Sequence, residues 1–160
     1  MTPAAPATWT NVRSAAYVLA QAVGTCWCCK QPTALYSLGL PPGHERQLDD
    51  EWVPVNAGAL LFYVEYLPPE IVRVLQELAL DYRSDHSRTT DSEYWLNHCQ
   101  HCGVAQEDYW LHCEPDAAFL PTTDQAAEQI QLFDVREPFA ARARGFSDEL
   151  PFFASMHIIG

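Results

Sequence analysis

The chain has 160 residues, of which 48% are hydrophobic and 12% aromatic, so it is long enough to bury a substantial core. Its formal net charge of −12 repels nucleic-acid phosphates and anionic lipid, which disfavours direct nucleic-acid binding and favours basic partners or cations. No apolar run approaches the roughly 20 residues that cross a bilayer. We therefore expect a soluble protein with no membrane segment and no secretion signal.

The N-terminal part of the chain predicts an arm followed by a helix. Residues 1–8, rich in Pro, Ala and Thr, are predicted to form a flexible arm ahead of a single domain over 9–160. Small and apolar residues recur at helical spacing, which predicts a helix over 10–23. The apolar run at residues 17–19 would equally suit a strand.

The central part predicts two strands, a loop and a helix. Residues 33–40 predict a short strand, and the acidic, proline-containing segment 43–58 predicts an exposed loop. Residues 59–67, dense in Leu, Phe, Tyr and Val, predict a buried strand. After Pro68 and Pro69, an apolar stripe with i, i+3, i+4 spacing from Ile71 to Tyr82 predicts the clearest helix.

The remaining segments predict short elements only. We expect a polar stretch over 83–92, a helical turn over 138–145, and strands over 94–98, 108–113, 128–135 and 152–159. The whole pattern predicts an α+β fold, with a small antiparallel sheet and two or more helices.

Two distant Cys-x-x-Cys pairs predict a metal site made of Cys26, Cys29, Cys99 and Cys102. A two-residue gap lets both thiolates of a pair reach one ion from a tight turn, and structural zinc prefers four tetrahedral Cys or His ligands. We therefore predict one structural Zn²⁺ and a domain over 9–160 that it stabilises. The paired spacings fit a reducing cytoplasm better than a set of disulfides.

The flanks of the two pairs differ. Gly103 follows the second pair and permits the positive φ that a metal knuckle often needs, whereas Lys30 holds that place in the first. The long segment between the pairs predicts split zinc-ribbon-like knuckles with an inserted strand and helix. A metal that closes so long a loop should contribute directly to folding.

Other ligand sets remain open. Cys99, Cys102, His112 and Cys113 would also form a local site within fifteen residues, with Cys26, Cys28 and Cys29 in a separate thiol cluster. The simpler interpretation is that Cys28 and Cys113 are small buried apolar residues.

Candidate catalytic groups lie around the second pair. His98, His101, His112 and Asp108 would suit proton transfer or a second metal, but polar neighbours of metal ligands more often orient those ligands. A saturated four-thiolate zinc has no open position for catalysis. Enzyme activity is thus the less favoured hypothesis, and we predict no catalytic residue.

The segment Tyr94 to Gly103, with Asn97 before a Cys-x-x-Cys-Gly knuckle, resembles a group of uncharacterised bacterial proteins. In that group a Gln-x-Asp and Leu-His stretch follows, as at Gln106 to Asp108 and Leu111-His112 here, and an upstream Cys-Trp-x-Cys supplies the other ligand pair, as at Cys26 to Cys29. The resemblance implies a bacterial zinc-binding protein with the same four ligands and transfers no activity.

The uneven charge predicts a function in binding. Residues 61–120 contain eleven acidic residues against three arginines. We expect a non-enzymatic, zinc-binding interaction protein of a bacterial cytoplasm, such as a regulator, an inhibitor or an immunity-type protein, whose acidic surface binds a basic protein partner. The alternatives are a metal-dependent enzyme that uses the histidine cluster and a nucleic-acid-associated zinc-ribbon protein.

Overall fold

The computed structural model describes residues 10–147 and the short strand at 157–159, and it is dominated by one large, mostly antiparallel sheet of 12 strands. The prediction of a small sheet with several helices is therefore wrong. The predicted arm at 1–8, and residues 152–156 of the predicted last strand, lie outside the described residues. The strands are β1 (Val12–Ser14), β2 (Tyr17–Thr25), β3 (Pro32–Leu40), β4 (His44–Leu48), β5 (Glu51–Val55), β6 (Ala59–Tyr66), β7 (Tyr82–Ser87), β8 (Ser92–His98), β9 (Ala105–Gln106), β10 (Gln131–Val135), β11 (Phe139–Ser147) and β12 (His157–Ile159).

Three helices accompany this sheet in the described part of the chain: α1 (Pro69–Leu78), α2 (Asp108–His112) and α3 (Asp124–Glu128). The main path runs β12-β10-β2-β3-β6-β11-β1-β4-β5, and only the β10–β12 pair is parallel. Strand β8 branches from β6 and also pairs with β7 and β9. None of the described helices has the length and apolar character needed to span a membrane.

Strand β2 explains why residues 10–23 were wrongly predicted to be helical. Tyr17 and Leu19 belong to one buried cluster, and Val18 and Ala20 belong to a second cluster. Successive side chains of a strand point to opposite faces, so β2 is buried on both faces over residues 17–20. Burial on both faces gives a continuous apolar run, which also contains the i, i+3, i+4 spacing of a helix.

Several other predictions need correction. The predicted loop 43–58 contains the β4–β5 hairpin. The polar stretch 83–92 contains all of β7 except its first residue, and the predicted helical turn at 138–145 lies in β11 from Phe139 onward. The predicted strand at 108–113 is helix α2, whereas the predicted strand at 128–135 begins in α3 and is extended only over β10.

The strands at 33–40, 59–67 and 94–98 and the helix after Pro69 are confirmed as β3, β6, β8 and α1. The helix ends at Leu78, four residues before the apolar stripe does.

A junction between β3, β6 and β8 sets the position of the second cysteine pair. Strand β8 meets β6 at Val64, one residue after Tyr63 takes a left-handed φ of +52°. The Asn97 side chain closes the gap to β3: its Oδ1 accepts the Tyr36 N–H at 2.7 Å, and its Nδ2 donates to the Tyr36 carbonyl at 2.8 Å. The Asn97 side chain thus makes the two hydrogen bonds that the backbone of a neighbouring strand would make with Tyr36. Asn97 lies two residues before Cys99.

Candidate metal centre

The first cysteine knuckle is the turn that joins β2 to β3. The Cys26 N–H donates to the Gln31 carbonyl at 2.9 Å, and the Lys30 N–H donates to the Cys26 carbonyl at 3.0 Å. Lys30 has a left-handed φ of +65°, which is unusual for a residue with a side chain. Lys30 therefore has the left-handed conformation that glycine adopts in many such turns, as its position directly after Cys29 predicts.

The second knuckle, between β8 and β9, repeats this backbone pattern. The Cys99 N–H donates to the Val104 carbonyl at 2.9 Å, and the Gly103 N–H donates to the Cys99 carbonyl at 3.0 Å. Gly103 has a φ of +76°, so the glycine supplies the positive φ expected of it.

The two knuckles bring four sulfur atoms together. Cys26 Sγ lies 3.7 Å from Cys102 Sγ, Cys29 Sγ lies 3.6 Å from Cys99 Sγ, and all four lie within 4.8 Å of one another. A tetrahedral ion with metal–sulfur bonds of about 2.3 Å requires sulfur atoms about 3.8 Å apart. The four predicted ligands thus lie close enough to bind one metal ion.

Side chains lock the knuckles to each other. The Trp27 indole N–H, from the first knuckle, donates to the Ala105 carbonyl of β9 at 2.9 Å. In the other direction, the Gln100 backbone N–H donates to Thr33 Oγ1 of β3 at 3.0 Å. Each knuckle is therefore hydrogen-bonded to the strand that follows the other knuckle. These contacts hold the cysteines in position without involving the four sulfurs.

Several N–H groups point at the sulfurs. The backbone N–H groups of Cys28 and Cys29 each donate to Cys26 Sγ at 3.4 Å, and the Gln106 side chain donates to the same sulfur at 3.3 Å. Hydrogen bonds to thiolates disperse their negative charge and favour the deprotonated form that binds metal.

The pKa values of the thiols spread widely. Burial raises the pKa of Cys26, but backbone N–H groups and neighbouring thiols outweigh burial and lower this pKa to about 6. The Val104 N–H lowers the pKa of Cys102, but burial and the neighbouring thiols raise it to about 12. Four adjacent thiols cannot all ionise without a cation, so binding of a metal ion would release protons.

Two of the three histidines near the second knuckle have partners outside the sulfur cluster. Buried His98 lies within hydrogen-bond distance of the Asp81 carbonyl through Nδ1, at 3.0 Å, and of Asp85 Oδ2 through Nε2, at 2.8 Å. His101 Nε2 lies 2.9 Å from the Pro32 carbonyl and is exposed. His98 ties β8 to β7, and His101 ties the second knuckle to β3.

His112 and Asp108 are buried on α2. The His112 ring stacks between Phe62 and Phe119, each with its centroid 5.1 Å away, and burial lowers the pKa of His112 to about 3. Asp108 accepts the Tyr63 N–H at 2.9 Å, and burial raises the pKa of Asp108 to about 7. Within the described ranges, only the four cysteines form a group of three or more ligating side chains that can share one ion.

Cys28 and Cys113 are exposed, so the prediction that they are buried apolar residues is wrong. The sequence also assigned no role to Gln106 in holding Cys26, because these residues are 80 positions apart and neither lies in the other's local motif.

No protein-family model matches this chain, and neither curated proteins nor solved structures give a match. The resemblance to uncharacterised bacterial proteins therefore stays a prediction.

Proposed function

We propose that this chain is a non-enzymatic interaction protein, built around one structural zinc ion and bound through its acidic surface to a basic protein partner. The observation that carries this proposal is that the sulfur atoms of Cys26, Cys29, Cys99 and Cys102 all lie within 4.8 Å of one another. Four thiolates saturate tetrahedral zinc and leave no site for a reacting water.

Zinc is the ion that this ligand set favours. Soft thiolates select zinc or iron over harder cations, and structural zinc commonly takes four cysteines from two tight turns. The first knuckle also carries Lys30, the only lysine of the chain, beside a site that would bear excess negative charge. Its ammonium would offset part of that charge.

The acidic middle of the chain supports a binding function. Of the eleven acidic residues in 61–120, only Asp108 is buried, while the other ten are exposed or half-buried. A field of one sign speeds the encounter with an oppositely charged surface. The same field opposes contact with nucleic-acid phosphates, so we place a basic protein ahead of nucleic acid as the partner.

The test is capture from bacterial lysate on the immobilised, metal-loaded protein at about 50 mM and about 500 mM salt. We expect basic proteins to bind at low salt and to be lost at high salt. A variant with Glu70, Glu77 and Glu93 changed to Gln, all exposed, should capture less. Capture of nothing at either salt, or of proteins whose binding is insensitive to salt, would overturn the proposal.

A further inference from the structure

A cavity of about 1040 Å³ opens beside the first knuckle. Its wall includes the end of β2, the knuckle residue Trp27, strand β9 and helix α2. Its volume is at the upper end of the range of ligand pockets, which is roughly 300–1,000 Å³. None of the four cysteines lines it, so the cavity is distinct from the metal centre.

Two indole rings line the cavity and remain open to solvent. Trp27 is 58% exposed and Trp110 is 61% exposed. The hydrogen bond from Trp27 to Ala105 fixes the first ring, and an edge-on contact with Tyr109, 5.1 Å between centroids, supports the second. Exposed tryptophans that are held in place commonly mark binding sites, because each offers a large apolar face at low entropic cost.

The Glu107 carboxylate lines the same cavity and is held by buried donors. Its Oε2 accepts hydrogen bonds from Ser87 Oγ at 2.8 Å and from the Tyr94 hydroxyl at 2.5 Å, and both donor residues are fully buried. Its Oε1 has no hydrogen-bond partner among the residues described. A carboxylate that is fixed through one oxygen presents the other to a ligand at little cost in side-chain entropy.

The charges of the cavity wall favour a cation. Three carboxylates, Asp85, Glu107 and Asp116, line it against one arginine, Arg88. An arginine guanidinium suits this cavity, because it binds a carboxylate through several N–H groups in a fixed geometry and also stacks on indole rings.

One edge of β2 at the cavity indicates that the cation belongs to a polypeptide. Strand β10 pairs with β2 only over Tyr17–Gln21, so residues 22–25 have no strand on that side in the described part of the chain. Val23, Gly24 and Thr25 from this edge line the cavity. An unpaired edge offers backbone N–H and C=O groups to an extended segment.

We propose that this cavity binds an arginine side chain from an extended segment of the basic partner, with Glu107 pairing with the guanidinium and Trp27 and Trp110 packing against it. The inference rests on the proposed function and assigns it a site. The acidic surface attracts the basic partner, and the cavity gives that partner's arginine a defined binding site.

The test is a binding titration of the metal-loaded chain with a labelled heptapeptide that has one central arginine flanked by valines. Its controls are the same peptide with uncharged citrulline in place of arginine, and N-acetylarginine amide. We expect the arginine peptide to bind at least about tenfold more tightly than either control, because charge-assisted hydrogen bonds and strand pairing are both needed. Equal binding of the citrulline peptide, equal binding of the small amide, or no binding of the arginine peptide would each overturn the inference.

Two variants then place the site. Glu107→Gln keeps an oxygen for Ser87 and Tyr94 but loses the charge, and Trp110→Ala removes an exposed ring. Each should weaken peptide binding about tenfold while metal content and the melting temperature stay near wild type. Should Glu107→Gln fail to fold, Trp110→Ala decides the test alone.

The matched controls are Glu51→Gln and Trp52→Ala, both on β5; Glu51 is exposed, and neither residue lines this cavity. Both should bind the peptide as wild type does. If the peptide binds and the cavity variants bind it no worse than these controls, the cavity is excluded while the salt-sensitive capture of basic proteins still supports the proposed function. Loss of that capture, by contrast, would remove the function itself.

Discussion

The two cysteine knuckles have the same backbone hydrogen bonds but differ at the residue that follows the second cysteine. Gly103 reaches its φ of +76° without a side-chain penalty, whereas Lys30 holds a φ of +65° with a full side chain. The left-handed conformation costs an L-residue about 1 kcal/mol or more. Both knuckles thus have a left-handed residue at this position, even where the local sequence disfavours it.

The knuckles also differ in how their sulfurs are held. Cys26 Sγ accepts two backbone N–H groups and the Gln106 side chain, whereas Cys99 Sγ accepts the His101 N–H at 3.3 Å. The first knuckle thus has the less favourable backbone conformation, at Lys30, and its Cys26 sulfur accepts more hydrogen bonds than Cys99 does. The contrast teaches that a single contact distant in sequence, from Gln106, adds to the support that the local backbone gives to Cys26 Sγ.

Loss of the ion should have the largest effect and should disrupt both knuckles together. Cys29 and Cys99 are 70 positions apart, so a metal bound by the four cysteines would close a long loop and connect β2–β3 to β8–β9. We expect Cys99→Ser, or a strong chelator, to lower the melting temperature by at least about 10 °C, measured by circular dichroism. Cys28→Ser is the control, because exposed Cys28 is outside the sulfur cluster, and it should melt as wild type does. Similar melting of Cys99→Ser and wild type would show that the fold does not need the site.

Gln106→Leu should have the second largest effect, chiefly through the Cys26 sulfur of the first knuckle. The change removes the N–H that reaches Cys26 Sγ and leaves that sulfur with its two backbone donors. Outer-shell groups of metal sites commonly contribute about 10–100-fold in affinity. We expect zinc affinity to fall about tenfold in competition with a chromophoric chelator.

Gln100→Leu is the matched change at the second knuckle. Its side chain accepts the Ala34 N–H at 3.0 Å and makes no hydrogen bond to a sulfur. It should therefore lose stability while its zinc affinity changes less than that of Gln106→Leu. Equal affinities of the two variants would contradict a role for Gln106 in tuning the sulfur.

The cysteine site could be predicted from sequence because its requirement is local. Two thiolates reach one ion from a tight turn only at certain spacings, and both Cys-x-x-Cys pairs satisfy this rule. Gln106 and Glu107 could not be assigned in this way, because the hydrogen bonds that single them out are made with groups on other segments. These hydrogen bonds depend on how distant segments pack together, which no local sequence motif predicts.

Most of the fold could not be predicted, for two physical reasons. The first half of strand β2 is buried on both faces and lacks the alternation of apolar and polar residues that marks a strand. The β4–β5 hairpin turns at Asp49 and Asp50, which both have positive φ, and such a two-residue turn is usually signalled by Asn-Gly or Asp-Gly. Strand β6 and helix α1 were predictable because their signals, dense large apolar residues and a proline-started stripe, are strong over eight or more residues.

Gly103→Ala should have a smaller effect and tests whether the second knuckle depends on its glycine. A Cβ at this position meets no atom within 4 Å, so the cost is backbone strain alone. We expect a loss of about 1 kcal/mol in the free energy of unfolding, measured by urea denaturation, and a parallel loss of zinc affinity.

Gly43→Ala is the control for that change. Gly43 also has a positive φ, of +99°, and open space around its Cβ position, but it lies between β3 and β4. It should lose stability without a specific loss of zinc affinity. If both glycine variants lower zinc affinity equally, the effect of Gly103→Ala reports global stability and not the knuckle.

The smallest effect is expected at Lys30, where two contributions oppose each other. Lys30→Gly relieves the left-handed strain but removes the hydrogen bond from Lys30 Nζ to the Trp27 carbonyl, 2.6 Å long, and makes the unfolded chain more flexible. The net change in unfolding free energy should stay within about 0.5 kcal/mol of wild type. Lys30→Ala separates the two contributions, because it loses the hydrogen bond and keeps the strain. We expect Lys30→Gly to be more stable than Lys30→Ala by about 1 kcal/mol, and equal stabilities would mean that the first knuckle does not need a left-handed residue after Cys29.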